Sequence, residues 1–241
     1  MDMDMEYLIK ESKYMIRNNE IIHFKMNDKN FNILINLYKQ GLNLVVERLN
    51  EVKDYLNELY GYEVINSITR RIKSSTSIEK KMSKKDCPTT YKNLINNIND
   101  IAVARIICNH KDDIYKIKKC ISQIDEIKIL REKDYIKHTK KSVYSAYHMI
   151  VEVPIKINNQ FIYIKVEIQI RTKLMDFWAS IEHTVKYKTD KKLSTKDSAI
   201  LTAYAKIINK IGDNMTKIYR KQNEEKCFNI IDANEKYKNM I

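Results

Sequence analysis

The chain has 241 residues, 44% of them apolar, which suits one substantial domain with appendages or at most two small domains. With 3 Gly, 2 Pro and neither GxxxxGK[ST] nor GxGxxG, P-loop and Rossmann readings are excluded and long helices are favoured. The formal net charge of +13 points to a polyanionic partner, although Lys, Asn and Ile abound throughout and spread charge over any surface.

The N-terminal MDMDMEYLIK is acidic and has no apolar core of a signal peptide, so none is expected. Met3–Arg17 reads as a short amphipathic helix. After a polar break in which Asp28 can act as N-cap, Phe31–Tyr60 carries Ile33, Leu34, Leu37, Leu44, Val45, Leu49, Val52, Leu56 and Leu59 at three- and four-residue spacing, which predicts a long helix. Gly41 inside it marks a kink or a close approach, and Gly61 fits the position just past its end. Val64–Ser74 reads as a strand, Thr76 or Ser77 as the cap of a helix running to Lys85, and Asn99–Asn109 as a buried strand that opens with Asp100. Asp112–Ser122 is amphipathic and helical, and Ile127–Ile136 is another strand.

The polar run His138–Val143 is a loop, followed by strands Ala146–Ile157 and Phe161–Ile170 joined through Asn158–Gln160. Thr172–Lys188 is helical, and Ser194 or Thr195 caps a last long helix to about Lys226. Cys87, Cys108, Cys120 and Cys227 are scattered without zinc spacing and read as reduced thiols of a cytoplasmic protein. No apolar run reaches the ~18 residues of a membrane span. The order predicts an α/β (α+β) domain with a mixed sheet flanked by helices. The chain divides into an N-terminal helical segment (residues 1–26), a central domain (27–190) and a C-terminal helical extension (191–241).

Phe161–Ile170 alternates strictly, with Ile162, Ile164, Val166, Ile168 and Ile170 on the core face. Glu167 therefore sits mid-strand on the opposite face, either as a solvated carboxylate or as a catalytic or metal-binding group on a rigid scaffold. Three polar groups bear on that choice. Arg70–Ser77 brings Arg and Lys at a strand end to hydroxyls at a helix start, an arrangement that can cradle phosphate or simply be a solvated turn. Asp100 at the start of a buried strand, with Arg105 further along, suits a Mg²⁺ ligand or a salt bridge. Lys133–His148 interleaves basic residues with Tyr135, Tyr144 and Tyr147, which suits a stacked, phosphate-bearing ligand or a plain surface loop. Asp100 and Glu167, if they meet, can hold Mg²⁺ on a nucleotide polyphosphate, and Glu167 can take a proton from an attacking hydroxyl.

The runs RIKS (Arg71–Ser74), DIA-x-x-RIIC (Asp100–Cys108), KDYI (Lys133–Ile136), VEIQIRT (Val166–Thr172) and MDFWASIEH (Met175–His183) resemble the synthetase domain of the RelA/SpoT family. The similarity spans roughly Phe31 to Arg220 and extends to the stand-alone small alarmone synthetases. It implies a nucleotidyltransferase-like fold and transfer of the β,γ-pyrophosphate of ATP to the ribose 3′-hydroxyl of GDP or GTP, with GMP as a further acceptor. By the resemblance, Arg71 and Lys73 contact ATP, Ser77 lies near its phosphates, and Arg105 contacts ATP or packs on adenine. Asp100 binds Mg²⁺, and Glu167 activates the 3′-hydroxyl, helps hold the metal, or both. Lys140 and His148 contact guanosine phosphates, Tyr144 stacks on guanine, and Gln169 and Arg171 line the same strand exit.

The resemblance further implies a homo-oligomer, a tetramer through terminal helices, and RNA as a regulator. The chain departs from the family pattern at several positions. Arg70 and Val103 stand where the family usually has Gly. In the guanosine loop, PK-x-x-GYRS-x-H has become TKKSVYSAYH, so Thr139, Val143, Ser145 and Ala146 are replacements, and Val143 is expected to take a β-like backbone. These changes motivate two alternatives: pyrophosphate transfer to the 3′ end of tRNA, and a non-catalytic RNA-binding module on the same fold. No adjacent His-Asp pair occurs, so alarmone hydrolysis is not expected.

Overall fold

The computed structural model describes residues 29–138, 143–157, 159–187 and 193–227. The expected helix Met3–Arg17, the Asp28 cap and the tail Asn229–Ile241 lie outside them. In chain order the elements are α1 (Lys29–Tyr60), β1 (Ile65–Ile72), α2 (Ser75–Ser83), α3 (Tyr91–Asn97), β2 (Ala102–Cys108), α4 (Lys111–Ile121), β3 (Lys128–Asp134), β4 (Tyr147–Ile157), β5 (Gln160–Thr172), α5 (Lys173–Tyr187) and α6 (Thr195–Cys227).

The strands form one five-stranded sheet in the order β1-β2-β5-β4-β3. Only β2 and β5 run parallel; the other pairs are antiparallel, so the expected mixed sheet is present. β5, whose alternation runs from Phe161 to Ile170, is its central strand. Along β5, Ile162, Ile164, Val166, Ile168 and Ile170 are buried. They join Ala104 and Ile106 of β2 and Met149, Val151 and Val153 of β4 in one core.

α1 lies across that core face. Its buried residues Leu34, Leu37, Tyr38, Leu42, Val45, Leu49, Val52 and Leu56 repeat every three or four positions, one stripe of a helix. Each fully buried aliphatic side chain contributes about 1.5–3 kcal/mol. Gly41 permits the approach: a Cβ there would stand 2.8 Å from Ile164 Cγ2. Gly61, at φ +65, ends the helix with its N–H donating to the Asn57 carbonyl at 3.0 Å.

Local differences from the sequence reading have physical causes. α2 is capped by Ser74, whose Oγ accepts from the Ser77 N–H, two residues ahead of the first expected cap. α3 was not expected; its seven residues are too few for a helical period to stand out, and Thr90 caps it through the Asn93 N–H at 3.2 Å. Ser194 does cap α6, accepting from the Asp197 N–H at 3.0 Å. Among the described residues no helix is long and apolar enough to cross a membrane.

Candidate active site

Residues opposite one another in a sheet share a face, and the register gathers polar residues of all five strands on the face away from α1. One row runs Arg71 (β1), Val103 (β2), Glu167 (β5), Ile150 (β4). The next runs Thr69, Arg105, Gln169, His148 and then Lys133 of β3. Arg171 follows one pleat further along β5.

Glu167 is not a solvated carboxylate. Its side chain is 12% exposed and that of His148 13% exposed, and Oε1 lies 2.8 Å from His148 Nδ1. Gln169 Nε2 donates to Oε2 at 3.1 Å. His148 Nε2 in turn lies 2.9 Å from the Tyr144 hydroxyl. Arg171 Nη2 donates to that hydroxyl at 2.7 Å and to Gln169 Oε1 at 3.1 Å. Burial alone would raise the Glu167 carboxyl, but the bonds from His148 and Gln169 outweigh it and hold the pKa below the usual carboxylate value. Burial raises the Tyr144 phenol, with Arg171 opposing. Tyr135 packs edge-on against both Tyr144 and His148, with ring centroids 5.8 and 5.2 Å apart.

Beside this network stands a crowd of cations. Lys73 Nζ lies 3.0 Å from Asp100 Oδ2, and Lys81 Nζ lies 2.8 Å from Oδ1. Burial would raise the Asp100 carboxyl; the two lysines more than offset that and hold it low. Asp100 also acts on Glu167 as a like charge, so the two carboxylates share one field. Asp176 of α5 takes Arg171 Nη1 at 3.0 Å and Arg105 Nη1 at 3.2 Å. The Arg105 pKa is lowered, first by burial and then by the charges of Arg171 and Arg71. Arg105 Nε and Arg171 Nε are buried with no hydrogen-bond partner among the described residues. Clustered guanidinium groups that keep spare buried donors form a site for a polyanion.

At the mouth of the site Val143 takes φ +59, the left-handed region, which contradicts the β-like backbone expected of it. For a β-branched residue that conformation is an outlier costing about 1–3 kcal/mol. The surroundings hold it: Asn209 Nδ2 of α6 donates to the Val143 carbonyl at 3.2 Å.

The profile of the region found in RelA/SpoT proteins matches residues 70–192. The chain belongs to the RelA/SpoT family. It is 34% identical to the GTP pyrophosphokinase YwaC of Bacillus subtilis over 182 residues, 76% of this chain and 87% of that one. The GTP pyrophosphokinase YjbM of the same organism is 32% identical over 197 residues, covering 80% and 90%. Among solved structures, small alarmone synthetase 1 of Bacillus subtilis bound to its product pppGpp superposes with a TM-score of 0.73 at 29% identity, covering 80% of this chain and 98% of that one. The fold class read from the sequence is that of these synthetases.

Within the family frame, the structure brings together Asp100, Lys73, Arg105, Glu167, Gln169, Arg171, His148 and Tyr144 through the contacts above, with Arg71 in the Glu167 row. Ser77 sits in the first turn of α2, bonded to Ser74 Oγ at 2.8 Å. Lys140 lies outside the described residues. The departures from the family pattern are accommodated differently. Arg70 alternates away from the site face and donates to Asn43 Oδ1 of α1 at 2.6 Å. Val103, 3% exposed, stands between Arg71 and Glu167 in the sheet register. Ser145 and Ala146 are buried.

Two further residues escaped sequence reasoning. Lys81 looked like one more solvent-facing lysine of a Lys-rich helix; its only signal is that it lies four residues after Ser77, on the same helical side. Asp176 lies in the run Met175–His183, but nothing in the spacing ties it to two arginines on separate strands.

Proposed function

We propose that this chain is an alarmone synthetase that moves the β,γ-pyrophosphate of ATP to the ribose 3′-hydroxyl of a guanosine nucleotide. One observation carries the reading: a buried, ionised Glu167 beside a basic cluster built for a polyphosphate. The names of the relatives agree with it, and one solved neighbour, 27% identical with a TM-score of 0.69, is bound to AMPCPP.

The residues divide the work as follows. Lys73, Lys81, Arg71 and Arg105 hold the triphosphate, and Ser77 stands at the helix start beside it. Tyr144 receives the guanine ring, while His148, Gln169 and Arg171 fix the acceptor. Each Glu167 oxygen accepts one protein hydrogen bond and keeps a second lone pair for the incoming hydroxyl. The 3′-oxygen bonds to the β-phosphorus, the bridge from the α-phosphorus to the β-phosphorus breaks, AMP leaves with the bridging oxygen, and the hydroxyl proton passes to Glu167. Positioning and charge neutralisation carry such transfers.

Mg²⁺ fits the donor set. Among the described residues no three His, Cys, Asp or Glu cluster as a closed protein site. Mg²⁺ on a nucleotide needs only one or two carboxylates plus phosphates, and Asp100 and Glu167 supply two in one field. Bound there, the ion would neutralise phosphate charge.

α6 turns Ile200, Tyr204, Ile207, Ile211, Met215 and Ile218 outward, all at least 40% exposed. That stripe supports the C-terminal extension as an oligomerisation element, with a homotetramer as the assembly; light scattering tests it. The free thiols Cys87, Cys108 and Cys120 suit a cytoplasmic setting.

The deciding assay incubates the protein with ATP, Mg²⁺ and, in parallel, GMP, GDP, GTP and tRNA. The expected result is a 3′-pyrophosphorylated guanosine nucleotide and equimolar AMP. Transfer to tRNA alone would overturn the guanosine acceptor, and no product from any acceptor would overturn the enzyme reading.

A further inference from the structure

We propose that Asn209, on the C-terminal helix and far from the chemistry in sequence, is a positioning residue for the acceptor: it holds Val143 in its left-handed conformation and thereby sets Tyr144. The proposal rests on the reading of Tyr144 as part of the acceptor site.

Three observations carry it. First, Val143 at φ +59 is a conformation its side chain disfavours, so it persists only where contacts fix it. Second, the amide of Asn209 bonds the Val143 carbonyl across 66 positions of sequence. The peptide group is planar, so fixing that carbonyl also fixes the nitrogen of Tyr144 and the direction in which the chain enters Tyr144. The Tyr144 hydroxyl must then meet Arg171 Nη2 and His148 Nε2, at 2.7 and 2.9 Å. A change at Val143 thus reaches the His148–Glu167 pair through one side chain.

Third, α6 is a firm post. Thr216, two turns after Asn209 and about 10 Å along the axis, lies on the same side of the helix. Its Oγ1 accepts from the Lys111 N–H at 3.3 Å, and Lys111 Nζ pairs with Asp213 at 2.7 Å. Tyr219 stacks on His110 with centroids 4.0 Å apart, and Arg220 pairs with Asp112. These contacts pin α6 to the start of α4, which follows β2. Asn209 therefore transmits the position of the sheet to the loop.

The test compares Asn209→Ala and Asn209→Asp with wild type. Ala removes the donor; Asp keeps the shape but offers only acceptors to the carbonyl. Two readouts are needed: KM for the guanosine acceptor against KM for ATP, and hydrogen exchange of the Tyr144–His148 amides in the nucleotide-free protein. Loss of one such bond should raise the acceptor KM about 3- to 10-fold while the ATP KM stays at the wild-type value, and exchange should quicken at Tyr144–His148 alone. Val143→Gly added to Asn209→Ala should recover part of the acceptor KM, because Gly adopts this backbone without strain. Unchanged exchange at those amides in both variants overturns the proposal. So does a rise in both KM values together with faster exchange throughout α5 and α6. A wild-type protein that makes no guanosine product would sink the acceptor reading itself, and the exchange measurement would still decide whether Asn209 holds Val143.

Discussion

His148 Nδ1 lies 2.8 Å from Glu167 Oε1, two residues on adjacent strands β4 and β5. The bond fixes the carboxylate in a buried setting and leaves it charged. Glu167→Gln keeps the volume and an acceptor oxygen but removes the charge that receives the proton. The turnover number should fall about 10²- to 10⁴-fold, the range for loss of a positioned general base. The KM for ATP should change little, and circular dichroism should show an unchanged fold. Wild-type turnover in this variant would remove Glu167 from the chemistry.

The same carboxylate gives a pH signature. Its pKa in the folded protein is depressed from the ordinary 4.5, because His148 and Gln169 outweigh burial, and that of Asp100 is depressed from the ordinary 3.8 by Lys81 and Lys73 against burial. A depressed folded pKa contributes stability that is complete above the unfolded value and is lost as pH falls through the folded one. The stability gap between wild type and Glu167→Gln should therefore be flat at neutral pH and shrink only as pH drops below the ordinary 4.5. Urea unfolding at a series of pH values measures it. A gap that widens toward acid would reverse the sign of the Glu167 shift.

Much of this arrangement was legible because the periods are clean. The alternation of Ile162 through Ile170 put Glu167 on the non-core face, and the three- and four-residue spacing from Leu34 to Leu56 gave α1. Alternation fixes a face, not an environment, so the wrapping of Glu167 by His148 and Gln169 was out of reach. Val143 failed for a different reason: local preference favoured an extended backbone, and the tertiary bond from Asn209 prevailed. Lys81 was hidden by composition, since in a chain with 44 Lys and Arg one paired lysine looks like the rest.

Asp100 joins two lysines that would otherwise face each other across a partly buried gap. Asp100→Ala should destabilise the fold by roughly 1–3 kcal/mol, since it strands two cations on one side of the sheet. Activity with ATP should be lost as well. Lys81→Met in the Asp100→Ala background should recover part of the stability and none of the activity. Denaturant melts and product assays separate the two effects. Equal stability of the single variant and wild type would show that the lysines find other partners.

Gly41 reports on how α1 seats against the strand that carries Glu167. A Cβ at this position would stand 2.8 Å from Ile164 Cγ2 and 3.5 Å from Val153 Cγ2. Alanine gains about 1 kcal/mol of helix propensity over glycine, but forcing a methyl into a packed core costs about 1–3 kcal/mol. Ile164 is 5% exposed and lies between α1 and the sheet, so it has little room to yield. Gly41→Ala alone should therefore be destabilising. In an Ile164→Ala background the Cγ2 contact is gone while the Cβ at 3.0 Å stays, so the same substitution should cost less than in the wild-type background. Chemical denaturation of the four proteins gives both costs, and a Gly41→Ala that stabilises the wild-type background would show that α1 does not rest directly on β5 at Ile164.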